Sequence, residues 1–293
     1  MKRILPLLLA LLGACSAPAQ RPDAGLVIVD DAGDSVRLAQ PARRIVSLSP
    51  ATTELVFALG AGGRLVGRTR WCDYPPAALA VPSVGDGLPP NIESVLAQAP
   101  DLVLVYRSPQ NAAALERFRA AGIAAVQLGI DHLADVPRLA RLLGPAVGRG
   151  AAGDSLATAF EAGVRAAAER TAALPEGRRP RVLLLAWDQP PIAIGAGSFQ
   201  SEILALAGAR NLFADLSAPS ATVSIEAIAA RDPDLVLVAD SGLPAIAGRP
   251  EWAAVPAVRE RRFVRLVTSV FGRPSPRAME AVAELRAALE APR

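Results

Sequence analysis

Asn91-Ile92-Glu93, followed seven residues on by Pro100-Asp101-Leu102-Val103-Leu104-Val105, returns as Ser224-Ile225-Glu226 and Pro233-Asp234-Leu235-Val236-Leu237-Val238. Each copy reads as a helix-capping Asn or Ser, a short helix, a Pro-Asp turn and an apolar run. Neither run alternates with polar residues, so each predicts a strand buried on both faces of a parallel sheet. A motif of this kind occurring twice predicts two similar α/β lobes.

Upstream of each copy lies a second matched pair. Arg44-Ile45-Val46-Ser47-Leu48 reads as a buried strand, Ser49-Pro50 as a helix start and Gly60 as its stop. In the second half, Arg181 to Ala186 is the strand, Ser198 opens the helix, and Gly208-Ala209 closes it. Thr53-Glu54-Leu55 with Gly60-Ala61 thus matches Ser201-Glu202-Ile203 with Gly208-Ala209, 148 residues later. The Ile-Glu pair repeats at an offset of 133, so the first lobe carries 15 extra residues between its landmarks. That surplus contains Trp71-Cys72-Asp73-Tyr74-Pro75-Pro76, an aromatic loop suited to ligand contact.

Between the halves, Gly150 to Ala173 is rich in Ala, Leu, Glu and Arg and lacks proline. It predicts one stiff helix about 36 Å long at 1.5 Å per residue, and small hinge motion. Leu26 to Val29 and Ser35 to Leu38 flank the turn-rich Asp30-Asp31-Ala32-Gly33-Asp34 and predict an opening β-hairpin. The expected division is a leader over 1–15, a flexible tether over 16–25, an N-terminal lobe over 26–148, a connecting helix over 149–175 and a C-terminal lobe over 176–293.

The leader expectation rests on Lys2-Arg3, the apolar run Ile4 to Leu12, and Gly13-Ala14-Cys15. This is the pattern of a secretory signal too short to span a bilayer comfortably. With Leu12 it resembles a bacterial lipobox, which implies lipid attachment at Cys15 and a membrane-anchored protein in the periplasm or on the cell surface. Cys15 and Cys72 are the only cysteines, so a lipidated Cys15 leaves Cys72 as a free thiol and no disulfide. With 31 basic against 28 acidic residues overall, and two of the bases in the leader, the balance calls for no nucleic-acid partner.

Taken together, the Arg44 to Pro50 segment, Thr53-Glu54-Leu55, Asp73-Tyr74-Pro75-Pro76, Ile92-Glu93, Pro190-Pro191 and Ser275-Pro276-Arg277 resemble the helical-backbone class of periplasmic binding proteins serving ABC importers of metal chelates. The Trp-Cys-Asp-Tyr-Pro-Pro stretch resembles the vitamin B12 binders of that class. The resemblance implies two α/β lobes joined by one long helix, a ligand cleft between them, and a corrinoid as ligand. Haem and ferric siderophores are the alternatives.

It also implies partners: a permease dimer with its ATPase subunits, met by a single copy of this chain through Glu93 and Glu226, one acid per lobe. The ligand contacts it implies fall on Trp71, with Tyr74 nearby, and on Ser269 to Arg273. That segment is one residue shorter than the pattern and lacks the pattern's acidic residue and Trp. The family's second-lobe disulfide is missing, since Ala207 stands near where one of its cysteines would lie.

A corrin is a broad, largely apolar disc fringed with amides, for which flat aromatic faces supply contact area. Trp71, Tyr74, Trp187 and Phe271 are the aromatic candidates, with Arg273 beside them. Arg68, Arg70 and Arg107 could meet acidic groups on a ligand. Trp252 is expected to be packing. His132, the only histidine, is too few for a bare-metal site and is expected at a surface helix start. Ser49 and Glu54 could be imagined as nucleophile and acid, but no base, nucleophile-elbow glycine pattern or phosphate-cradling loop accompanies them. No resident cofactor and no catalysis are expected.

Overall fold

The computed structural model describes residues 25–239, 246–266 and 268–291. The leader and Cys15 lie outside these residues. Strands β3 (Ile45–Ser47), β4 (Leu65–Arg68), β5 (Leu102–Tyr106) and β6 (Ala124–Leu128) form a four-stranded parallel sheet in the order β4-β3-β5-β6. In the second half, β9 (Arg210–Asn211), β7 (Arg181–Asp188), β11 (Leu235–Ala239) and β12 (Phe263–Leu266) pair in parallel in the corresponding order. Here β8 (Pro191–Ile194) and β10 (Ser220–Thr222) add antiparallel strands on one side of β7. The repeat read from the sequence is therefore a repeat of topology.

Local chemistry explains the match. Ser49 caps α1 (Pro50–Ala58) by accepting from the Thr52 amide, and Ser198 caps α6 (Phe199–Ala207) by accepting from the Ser201 amide. Asn91 and Ser224 do the same for α2 (Ile92–Leu96) and α7 (Ile225–Arg231). The aspartate of each Pro-Asp turn ties the sheet together. Asp101 accepts from the amides of Arg43 and Arg44 at 2.8 and 3.0 Å, and Asp234 accepts from Arg181 at 2.7 Å. Each carboxylate thus fixes where the neighbouring strand begins.

The helix expected between the lobes is α5, Gly150–Ala172, about 35 Å long. One stripe of it (Gly153, Ala157, Phe160, Ala167 and Thr171) is buried. Gly153 lets it approach α4 (Asp135–Ala146) closely, since a Cβ there would sit 2.4 Å from the Ala140 carbonyl oxygen. The opening hairpin, β1 (Leu26–Val29) with β2 (Ser35–Leu38), is antiparallel as expected.

One apolar cluster runs through both lobes, from Ile45, Leu55, Leu102 and Leu104 through Phe160 of α5 to Leu184, Ile203, Leu237 and Leu285. Two further clusters are local, one under Phe118 in the first lobe and one under Trp252 in the second. Trp252 is wholly buried, as a packing residue should be. No helix among the described residues is long and apolar enough to cross a membrane.

Candidate functional site

A cleft of about 660 Å³ opens between the lobes at the C-terminal ends of the parallel strands, where ligands of open α/β sheets bind. The first lobe contributes Leu48 to Ala51 at the start of α1, Arg70 and Trp71, Asp86 to Leu88, Tyr106 and Ile130. Gly272 to Pro274 come from the second lobe. Of the sequence candidates for ligand contact, the cleft brings together Arg70, Trp71 and Arg273. Trp71 is 54% exposed and presents its ring with the Arg70 guanidinium 4.6 Å from the ring centroid.

Both cleft arginines already have counter-ions. Arg70 Nε makes a short ion pair with Asp86. Arg273 Nη1 donates to Asp73 at 2.5 Å, and its Nη2 donates to the Trp71 carbonyl at 3.0 Å. The guanidinium of Arg273 holds the Asp73 carboxyl below the usual carboxylate range. This pair reaches from one lobe to the other.

Three candidates sit elsewhere. Tyr74 does not line the cleft, because the Arg277 guanidinium, 3.5 Å from its ring centroid, holds the ring against the start of α10 (Ala278–Glu290). Phe271, on the single turn α9 (Thr268–Phe271) that follows the four-residue helix α8 (Pro256–Arg259), lines a smaller adjoining recess of about 260 Å³. That recess shares Gly272 with the cleft, so Phe271 and Trp71 stand in neighbouring hollows instead of facing across one. Trp187 is 61% exposed and lines neither. The register shift between Leu185 and Trp187 interrupts the β7–β8 pairing, and the indole N–H donates to the Gln189 carbonyl of its own hairpin.

Among the arginines weighed for acidic groups, Arg68 is buried and donates to the carbonyls of Ala78 and Thr69, and Arg107 does not line the cleft. Cys72 is a buried free thiol, within 3.1 Å of the hydroxyls of Thr53 and Thr69. Ser49 is spent on its cap, and Glu54 is only 3% exposed and bound to arginines. Glu93 and Glu226 are exposed in the first turns of α2 and α7, one per lobe.

Tyr106 is the aromatic lining residue that sequence reasoning missed, alongside Asp86, Leu88 and Ile130. It ends β5, one residue beyond the apolar run. Its hydroxyl donates to Asp131 at 2.6 Å, and burial together with that bond pushes the phenol up to about 12. No group of three or more His, Cys, Asp or Glu able to hold a metal ion occurs among the described residues.

Two lobes of one topology, a helical connector and a cleft at the strand ends define a binding protein of the helical-backbone type. The chain belongs to the periplasmic binding protein family, whose model matches residues 45–269. It is 28% identical over 289 residues to the uncharacterized ABC transporter substrate-binding lipoprotein YvrC of Bacillus subtilis, covering 94% of this chain and 91% of that protein. The periplasmic vitamin B12 binding protein BtuF of Vibrio cholerae superposes with a TM-score of 0.72 at 27% identity, over 85% of this chain and 97% of that one. The haem-binding protein BhuT, solved with two haems, gives a TM-score of 0.74 at 30% identity, over 85% and 99%.

Proposed function

We propose that the protein captures a corrinoid in the inter-lobe cleft and delivers it to the permease of an ABC importer. The observation that carries this reading is the charge state of an aromatic cleft: both arginines that line it are already neutralised, Arg70 by Asp86 and Arg273 by Asp73. An amide-fringed disc needs area and hydrogen bonds more than counter-ions. Haem carries two propionates, which favour unpaired cations. Its iron also takes an axial ligand from a side chain such as His, Cys, Met or Tyr. The one such side chain among the lining residues is Tyr106, and its proton is committed to Asp131. A corrinoid brings its metal already chelated and needs no ligand from the wall.

Haem or a ferric siderophore is the second reading, favoured by the likeness to BhuT. Titration calorimetry of the purified protein with cyanocobalamin, haem and a ferric siderophore separates the three. Saturable heat with cyanocobalamin alone supports the corrinoid, and heat with haem alone ends that assignment.

Within this reading Trp71 and Arg273 are the contacts in the cleft, with Phe271 in the recess beside it. Glu93 and Glu226 dock onto the two permease subunits, a two-fold partner suited to acids duplicated on two lobes. Cys15 carries the lipid that tethers the protein to the membrane. A Cys15→Ser form that stays in the detergent phase on partitioning would count against that anchor.

A further inference from the structure

Two glutamates at matching places in the repeat each cross to the opposite lobe. Glu54 lies in α1 of the first lobe. Its carboxylate accepts from Arg277 Nε and Nη2, both at 3.0 Å, and Arg273 Nη1 lies 3.4 Å away. Arg277 is the residue before α10, the last helix of the second lobe. Glu202, 148 residues on in α6, reaches back the other way. One oxygen meets His132 Nδ1 at 2.6 Å and the other accepts the Leu133 amide at 2.8 Å. Those two residues lead into α4, the last helix of the first lobe before the connector. Each lobe thus sends a carboxylate from its first helix to the start of the other's last helix.

The two crossings flank the lobe interface. Arg273, held by Glu54, lines the ligand cleft. Glu202 borders a different recess, lined by Leu133, Pro137, Phe160 and Leu206 beside α5. Burying Glu54 with guanidiniums costs desolvation that an apolar pair would avoid, so the pair is weak evidence for added stability. The shared apolar cluster holds the lobes together through a non-directional attraction, to which the carboxylate hydrogen bonds add direction.

We propose that Glu54 and Glu202 are positioning residues for the cleft, a duplicated pair of clamps that set the angle between the lobes. Glu54 acts on the cleft side through Arg273, whose second nitrogen holds the Trp71 carbonyl. Glu202 acts on the connector side. The link to ligand affinity rests on the cleft being the ligand site; the clamping itself does not.

The clamps differ in one respect. The partners of Glu54 are guanidiniums, charged at any ordinary pH. Glu202 faces an imidazole whose pKa is raised, first by its hydrogen bond to Glu202, against some desolvation, with Asp135 and Asp131 adding to it. Arg138 is paired with Asp31 and Asp135 nearby, and Glu161 and Arg165 of α5 line the same recess. A histidine raised in the folded state holds its clamp in full below about 6.5 and relaxes it as pH climbs through the raised value.

Hydrogen exchange on the ligand-free, full-length protein tests this. Glu202→Ala, a change in the second lobe, is expected to speed exchange over residues 131–136 of the first lobe about five-fold, the scale of a partly exposed pair. His132→Ala should do the same at pH 6, with its rate ratio to wild type falling toward one at high pH. Glu202→Gln keeps an acceptor for the Leu133 amide and should restore protection there without the pH dependence. Glu54→Gln should loosen residues 275–280 in the opposite lobe. It removes a buried charge and can fail to fold, so the exposed His132 and part-exposed Glu202 variants decide. Unchanged exchange over 131–136 in Glu202→Ala overturns the proposal. Cyanocobalamin dissociation, followed in the same variants, should quicken several-fold; if cyanocobalamin binds none of them nor wild type, the corrinoid reading fails while the exchange result still judges the clamps.

Discussion

Arg273 and Asp73 stand 200 positions apart in the chain and meet at 2.5 Å, joining the segment before the last helix of the second lobe to the aromatic loop of the first. The same guanidinium holds the Trp71 carbonyl. The aromatic loop that carries Trp71 is thereby held by a residue of the facing lobe.

Replacing Arg273 with Ala should release the Trp71 loop and weaken cyanocobalamin binding about ten-fold, the cost of a charge-assisted contact. Asp73→Asn should show a milder loss. The folded-state pKa of Asp73 is depressed, so the pair is intact above the ordinary carboxylate value and opens only as pH falls through the lowered one. The Arg273-dependent part of the affinity should therefore stay flat from pH 8 to 5, by titration calorimetry; a decline centred near pH 6 contradicts it.

Trp71→Ala removes an anchor of the size that dominates interfaces, and a loss of about thirty-fold in cyanocobalamin affinity is expected. Because the ring is half exposed, the melting temperature should barely move. Trp187→Ala, by contrast, should leave affinity unchanged, and a comparable loss there would return that residue to the site.

Charge reversal at Glu93 or Glu226 should lower uptake into vesicles containing the permease without altering cyanocobalamin affinity in solution. Loss of affinity in the purified variants would assign these acids to the ligand and not to docking.

Trp252→Ala leaves a cavity in the local cluster of the second lobe and should cost about 3 to 5 kcal/mol in urea unfolding. The cleft lies outside that cluster, so ligand affinity below the transition should be retained.

The repeat was legible because parallel strands buried on both faces write continuous apolar runs, as at Leu102–Val105 and Leu235–Val238. Ser49, Asn91, Ser198 and Ser224 announced the helices that follow them, since a side chain satisfying its own backbone is a local event. Contacts across the lobes were not legible. Nothing near Glu54 in sequence points to Arg277, and nothing near Glu202 points to His132, whose neighbours mark only a surface helix start.

Trp187 misled for a related reason. Its place at a strand end promised the cleft, but the antiparallel β8 pairs with β7 there and turns the indole outward, a departure from the first lobe with no mark in the repeat. Tyr106 could have been found by carrying the apolar run one residue further, to the C-terminal end of its strand.

The apolar cluster that threads both halves and the connector has a further consequence. The protein should melt as a single cooperative unit, with one calorimetric transition and not two, and a bound ligand should raise the melting point of both halves together. Cutting the chain within α5 would bare matching greasy faces, so the fragments should reassociate or precipitate before either behaves as an independent protein.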